Sequence, residues 1–354
     1  MIQLILVFVG AVIAVYGRHR HSSIEKFLER LLNGGNEVSG LTYLTIIGLI
    51  VVTIGIILII VNAVKSKKSK TEPDIKVFFV TLGTIFKDHF TYRKQIFKLA
   101  KSDLIRTYRG AALGWGWAII KPIITIFVYW FAFSIGLRRG GDLTVTVNGI
   151  KTSYPFFLWL VAGIVPWFYM SEMLTVGTNS IRNNKQLVTK LRFPVATIPT
   201  FVSLSKLLVS LFLQLVVVIL FLCFGYKLDI YYLQIPLYGF LMFMFFTVLT
   251  LFNSLVSSIY RDFGNLVKSL ITAIFWLSGI LWNSNKVKIG WLRKLLLMNP
   301  VTYICTGFRN AFIYKRWIWE DNYTTFAFLG LFTLLCIVTI GVYNKTRKDL
   351  PDVL

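Results

Sequence analysis

Apolar stretches long enough to cross a bilayer recur along this chain, and they constrain its fold more than any other feature. A spanning helix needs about 20 mostly apolar residues. Runs of this length occupy residues 41–64, 115–136, 155–177, 195–224, 231–258, 263–283 and 323–343, and a shorter one covers 2–16. Hydrocarbon offers no partner to a backbone N–H or C=O, so such runs are read as helices. With 56% hydrophobic residues in 354, the chain carries more apolar surface than a water-soluble domain hides. The expected fold class is an all-α integral membrane protein.

The short run 2–16 is read as a first span and not as a signal peptide. No charged segment precedes it, and no small-residue cleavage site stands out. The span 41–64 is followed directly by Lys65-Ser66-Lys67-Lys68-Ser69-Lys70, a basic stop expected to stay in the cytoplasm. Between Tyr92 and Arg109, apolar residues recur at helical spacing with cations between them, which predicts an amphipathic helix in the plane of the membrane surface. The segment 284–322, with Trp291, Tyr303, Phe308, Trp317, Trp319 and Asn299-Pro300, is expected to form short helices dipping into the outer leaflet. The chain thus divides into a two-span extension with its basic stop (1–70), a linker and interface helix (71–114) and a six-span domain (115–354).

Charge orients these spans. The 38 Lys and Arg against 15 Asp and Glu give a formal charge of +23. No nucleic-acid motif accompanies this excess, so it is read as the positive-inside bias. With both termini in the cytoplasm, the inner segments 65–114, 178–194, 259–268 and 344–354 hold 21 Lys and Arg. The outer segments 138–154, 225–230 and 284–322 hold 11. Residues 17–40 run against this count, with four cations on the outer side. The outer cations of the core include Arg138, Arg139, Arg293 and Arg309. Two readings stand for them: an exit lined to receive a polyanion, or attraction to lipid headgroups.

Several chemistries lack their signatures. No G-x-x-x-x-G-K-[ST] loop is present to cradle ATP, so a motor must be another chain or an ion gradient. Ion-coupled carriers place carboxylates inside their spans, and only Glu172 is a candidate here, which favours an external ATPase. Cys223, Cys305 and Cys336 have no metal-ligand spacing and are read as small buried hydrophobes. No metal site and no catalytic residue is assigned. A membrane glycosyltransferase would want paired carboxylates in outer loops, whereas Asp142, Asp229, Glu320 and Asp321 form no paired motif.

Four separated motifs carry a resemblance over residues 92–354. Thr107-Tyr108-Arg109-Gly110-Ala111-Ala112-Leu113-Gly114 with Trp117 and Pro122 resembles the start of the first core helix in ABC-2 type polysaccharide and polyol-phosphate export permeases. Asn184, Leu187, Lys190, Phe193 and Pro194 are similar to that family's cytoplasmic segment after the second core helix. Tyr260-Arg261-Asp262-Phe263 is similar to its turn between the fourth and fifth helices. Asn299-Pro300 and Arg309 resemble its outer-leaflet re-entrant region. Trp115 to Leu137, Pro166 to Leu174 and Leu266 to Leu281 look most like teichoic acid translocation permeases, although O-antigen permeases share the architecture. Ala111 stands where the family often has Ser, and the two spans before residue 65 are additions to its six-helix core.

The resemblance implies a six-helix ABC-2 (type V exporter) permease core, with an interface helix before it and re-entrant helices on the outer side. It implies two permease chains with two ABC ATPase chains, which bind the ATP and Mg; this chain holds no cofactor. The expected cargo is a wall teichoic acid on polyprenyl pyrophosphate, with a neutral O-antigen-like polysaccharide or a drug or peptide as alternatives. Arg182, Asn184, Lys185, Lys190, Arg192, Phe193 and Pro194, with Arg261 and Asp262, are expected to couple to the ATPase. Arg106, Arg109 and Lys121 are candidates for the phosphate-bearing headgroup, because Arg presents a planar fork to phosphate oxygens. Bulk lipid phosphates are the competing partner of Arg106 and Arg109. Tyr129, Trp130 and Phe133 on the first core helix, and Trp159, Trp167 and Tyr169 on the second, are candidates to line a glycan channel. An aromatic belt or helix packing is the competing use. Glu172 and Lys206 fall at comparable depths on consecutive antiparallel spans and are expected to pair, against snorkelling of Lys206 to the surface.

Overall fold

The computed structural model describes residues 75–354, apart from 111, 138–139, 148–149, 192, 348 and 354. The expected two-span extension and its basic stop (1–70) lie outside these residues. In chain order the described elements begin with α1 (Ile75–Thr91), α2 (Arg93–Tyr108) and α3 (Trp117–Phe131). An antiparallel hairpin, β1 (Leu143–Val147) with β2 (Ile150–Tyr154), precedes α4 (Phe156–Thr175). Two short helices, α5 (Ser180–Asn183) and α6 (Lys185–Thr189), lead to α7 (Thr197–Cys223), α8 (Gln234–Ile259) and α9 (Phe263–Leu277). The chain then forms α10 (Gly290–Met298), α11 (Pro300–Arg309), α12 (Asn322–Thr346) and α13 (Leu350–Val353).

Among the described residues, five helical segments are long and apolar enough to cross a membrane: Gly114–Gly136, Phe156–Thr189, Thr197–Cys223, Ile230–Ile259 and Asn322–Thr346. They fall on five of the spans expected after residue 114. Helix α4 is the centre of the bundle and packs against α3, α7, α8, α9 and α11. Every residue from Leu158 to Trp167 is buried, as expected of a helix that is apolar all round. Helix α3 is its opposite, since Pro122 is its one buried residue.

The sixth expected span, 263–283, differs. Its helix ends at Leu277 after 15 residues, which at 1.5 Å per residue is roughly 22 Å and short of a bilayer core. Gly279 takes φ +28°, a left-handed backbone that ends the helix although the apolar run continues. The chain then turns into α10 and α11. Asn299 caps α11, its side chain accepting from the Val301 N–H at 2.9 Å, with Pro300 in the first turn. The Asn299 amide also donates to Ser278 Oγ at 2.8 Å, tying α11 to the broken end of α9.

Three further differences concern two expected loops and one cysteine. Residues 143–147 and 150–154, expected as outer loop, pair as the two strands, so the fold is not helical throughout. The alternation Leu143-Thr144-Val145-Thr146-Val147 is a strand pattern. The hairpin is fastened by the Tyr226 hydroxyl, which donates to the Ser153 carbonyl at 2.6 Å, and by Tyr154 stacked on Tyr226 at 4.5 Å. Residues 75–91, expected as linker, form α1. Among the cysteines Cys305 is buried, but Cys223, at the last turn of α7, is exposed.

Candidate functional site

At one end of the bundle, here the lower end, α2, the segment 177–196 and the turn 260–262 meet the ends of the spans. Helix α2 packs along α7. Its buried residues Ile96, Ala100 and Asp103 are spaced by four and three, which places them on one stripe. Asp103 is the one acid between Tyr92 and Gly114. Its carboxylate accepts from Ser205 Oγ of α7 at 2.6 Å and from Arg106 Nη2 at 2.9 Å. One turn on, Lys206 Nζ donates to Thr107 Oγ1 at 3.3 Å and lies 3.8 Å from Glu172 Oε2 on α4. The Lys206 side chain is 10% exposed and that of Glu172 50%. The expected Glu172 and Lys206 therefore sit side by side, at a separation longer than a hydrogen bond, with Thr107 as a third member that depth arithmetic does not reveal.

The headgroup candidates are accessible. Arg106 and Arg109 are exposed at the end of α2, and Lys121 is exposed on α3. Arg106 is engaged by Asp103, so its charge is partly spoken for.

The coupling candidates surround the same end. Lys185, Lys190, Arg261 and Asp262 are exposed, while Arg182, Asn184, Phe193 and Pro194 are half-buried; Arg192 lies outside the described residues. Ser257 Oγ donates to Asn179 Oδ1 at 3.0 Å, and Asn179 lies against Gly264, which joins the two candidate coupling segments. Phe193 folds back: its N–H donates to the Leu187 carbonyl at 2.9 Å, and its ring meets Tyr92 edge-on at 5.2 Å. Tyr92 is the joint between α1 and α2. Helix α13 packs against α6 and α8 with Leu350 buried.

At the upper end the structure corrects the reading of Arg309. It is not an exposed exit cation, since only 2% of it is accessible. Its Nε donates to the Trp159 carbonyl at 3.2 Å, Nη1 to the Gly279 carbonyl at 2.7 Å and Nη2 to the Ile280 carbonyl. The guanidinium lies 3.5 Å from the centroid of the Trp159 ring. The Gly279 and Ile280 carbonyls belong to the segment where α9 breaks, so Arg309 supplies donors that the interrupted helix lacks. Non-helical backbone at membrane depth is tolerated only where protein satisfies it in this way. Lys315 is also internal, its Nζ 2.7 Å from Asp229 Oδ2 and 4.6 Å from the Tyr232 ring centroid. Burial pulls its ammonium below the usual lysine range, and Asp229 draws it back up. Arg293 is exposed on α10, while Arg138 and Arg139 lie outside the described residues.

The aromatic candidates separate into two sets. Trp159, Trp167 and Tyr169 are 3%, 6% and 2% exposed, so in this chain they pack inside the bundle. Trp159 Nε1 donates to the Tyr314 hydroxyl at 2.9 Å, Trp167 packs on Phe275, and the Tyr169 hydroxyl shares a 2.6 Å hydrogen bond with Ser203. Their all-round burial follows from the central place of α4. Tyr129, Trp130 and Phe133 are half-buried, against Phe275, Phe157 and Phe156 respectively. Among the described residues no group of three or more His, Cys, Asp or Glu converges on a metal position.

The family profile of the ABC-2 type transporters matches residues 94–313. The O-antigen export system permease protein RfbA of Myxococcus xanthus is 24% identical over 269 residues, covering 76% of this chain and 98% of that protein. A protein of the same name from Klebsiella pneumoniae is 22% identical over 259 residues, covering 72% of this chain and 93% of that protein. The match begins inside α2 and ends just beyond Arg309, so α1 precedes it and α12 follows it.

Proposed function

Because this chain belongs to the ABC-2 type transporter family, we propose that it is the membrane-spanning subunit of an exporter for an O-antigen-like, lipid-linked polysaccharide, driven by a separate ABC ATPase. The observation that carries this reading is the similarity to O-antigen export permeases over nearly their whole length. It replaces the teichoic acid expectation with the O-antigen-like alternative. Part of the case for a polyanionic cargo also falls away, because Arg309 and Lys315 spend their charge inside the fold.

In this reading two copies of the chain and two ATPase subunits form the transporter, with the termini in the cytoplasm. Residues 115–354 act as the six-helix core. Its fifth member, α9, stops partway, and α10 and α11 form the re-entrant region. The exposed Lys185, Lys190, Arg261 and Asp262 form the surface offered to the ATPase. Arg109 and Lys121, with Arg106 beside its Asp103 partner, receive the lipid-linked phosphate. Tyr129, Trp130 and Phe133 are the aromatics still placed to meet sugar rings, which bind well to flat apolar faces.

Depletion of the chain in its own host, followed by analysis of polyprenyl-linked glycans trapped on the cytoplasmic side, tests the proposal. Accumulation of a glycan without phosphate in its repeat is expected. A phosphate-rich polymer would restore the teichoic acid reading. Absence of any trapped lipid-linked glycan would move the assignment to a drug or peptide exporter.

A further inference from the structure

We propose that α1 is a membrane-surface helix whose aromatic stripe seats in anionic phospholipid, at the boundary between headgroups and acyl chains. Helix α1 lies wholly ahead of the residues that match the family, and nothing in the export reading assigns it a role. Both of its sides carry apolar residues. The side turned to the protein mixes them with polar anchors: Phe78, Leu82 and Ile85 are half-buried there. Thr81 is 1% exposed and donates to Asn344 Oδ1 of α12, and His89 Nε2 shares a 2.8 Å hydrogen bond with Thr200 Oγ1 of α7. The side turned away is aromatic. Phe79, Phe86 and Phe90 are 63%, 68% and 70% exposed, and their spacing of seven and four places them within about 40° of one another around the helix.

Position argues for the surface of the bilayer rather than its middle. Asn344 lies in the last turn of α12 and Thr200 in the first turn of α7, so both anchors are at the lower end of the bundle. Thr81 and His89 are eight residues apart, about 12 Å along the helix. Helix α1 therefore crosses from the end of one span to the start of another and does not run beside either.

Charge identifies the occupant. Lys87, Arg93, Lys94, Lys98 and Lys101 are exposed around the stripe and its continuation at Phe97, itself 65% exposed. The Arg93 guanidinium sits 4.3 Å from the Phe90 ring centroid. Aromatic side chains bordered by cations complement a surface that is apolar just beneath and negative above, which is an anionic lipid leaflet.

The full-length chain in nanodiscs tests this, with the photoreactive analogue p-benzoylphenylalanine replacing Phe86 and, in a second variant, Phe90. After irradiation, mass spectrometry identifies what each probe has captured. Lipid adducts are expected from both positions, at least about threefold more abundant in phosphatidylglycerol than in phosphatidylcholine discs. The preference should vanish when Lys87, Lys94 and Lys98 are all changed to Gln. Adducts to a second copy of the chain or to its own residues 1–74 would overturn the proposal, as would equal yields in the two lipids.

Discussion

Arg309 and Trp159 form a stacked pair in which the same guanidinium that covers the Trp159 ring also donates to the Trp159 carbonyl. Its other donors close on Gly279 and Ile280. One side chain thus holds the re-entrant helix α11, the central helix α4 and the broken end of α9 at a common point. Gly163 is part of the device, because a Cβ there would overlap the guanidinium.

Arg309→Met should leave the buried Gly279 and Ile280 carbonyls without this donor, while the Trp159 carbonyl keeps its intrahelical partner. At about 1–3 kcal/mol for an unmet buried group, the loss is roughly 2 kcal/mol or more. Arg309→Lys should recover little of it, since a single ammonium cannot reproduce the planar fork. Gly163→Ala should destabilise the chain for the same reason, and the double change Gly163→Ala with Arg309→Met should cost less than the sum of its parts. Thermal unfolding of the purified chain in detergent reads all four variants. Additive losses would show that Gly163 and Arg309 act independently.

Much of this architecture was legible in residues alone, and the failures have identifiable causes. Apolar run length located the spans beginning near 115, 155, 195, 231 and 323, because burial in hydrocarbon depends on composition. The four-residue spacing of Ile96, Ala100 and Leu104 located α2 for a similar reason. Hydropathy is blind to backbone conformation, so the run 263–283 hid the break at Gly279. It is equally blind to partners: Arg309 in a basic outer segment looks like a surface charge until the open carbonyls are seen. The strand pattern of 143–147 was present but short, between two stronger helical signals. Asp103 was the legible residue that went unread, as a lone acid three residues before Arg106 on a basic helix.

The attachment of α2 to α7 should depend more on Ser205 than on Arg106. Both bond to the Asp103 carboxylate, but Ser205 is fully buried and the Arg106 side chain is 65% exposed. A buried hydrogen bond to a charged group stabilises by about 1.5–3 kcal/mol, against about 1 kcal/mol at most for a surface ion pair. Hydrogen exchange in the amides of residues 93–108 should therefore accelerate more in Ser205→Ala than in Arg106→Ala. The reverse order would mean that the ion pair holds the helix.

Phe193 and Tyr92 give the proposed coupling segment a direct contact with the joint between α1 and α2. An edge-on aromatic pair is worth about 0.5–1.5 kcal/mol beyond its burial, too little to unfold the bundle. Phe193→Ala should leave the chain folded and the ATPase complex assembled, while lowering polysaccharide exported per ATP hydrolysed. Phe193→Tyr, which preserves the ring, should restore it. Proteoliposomes containing the whole complex provide both rates. Export and hydrolysis falling in proportion would place Phe193 in assembly and not in transmission.

Tyr154 makes the hairpin sensitive to alkali. Burial, then the neighbouring Tyr226 and Asp229, raise its phenol from 10.0 to about 12. The fold prefers the neutral phenol, so its contribution to stability is fully present below pH 10 and is lost as pH rises through about 12. The midpoint of thermal unfolding should fall between about pH 9 and about pH 11 by more in the natural chain than in Tyr154→Phe. An equal fall in both would remove Tyr154 from the alkaline response.

Glu172 and Lys206 supply the sharpest test of an ion pair at the lower end. Their 3.8 Å separation and the half-exposed Glu172 limit the pair to about 1 kcal/mol. Lys206 itself is nearly buried, with Thr107 as its hydrogen-bond acceptor. Glu172→Lys should therefore be worse than Glu172→Gln, because it sets a second cation beside an ammonium that has little water to screen it. Lys206→Glu should also be poorly tolerated, since it faces Glu172 across the same gap. Combining Glu172→Lys with Lys206→Glu should recover export and thermal stability toward the natural chain. If the exchanged pair is no better than the worse single variant, the two side chains are neighbours without being partners, and Thr107 is the contact that keeps Lys206 in place.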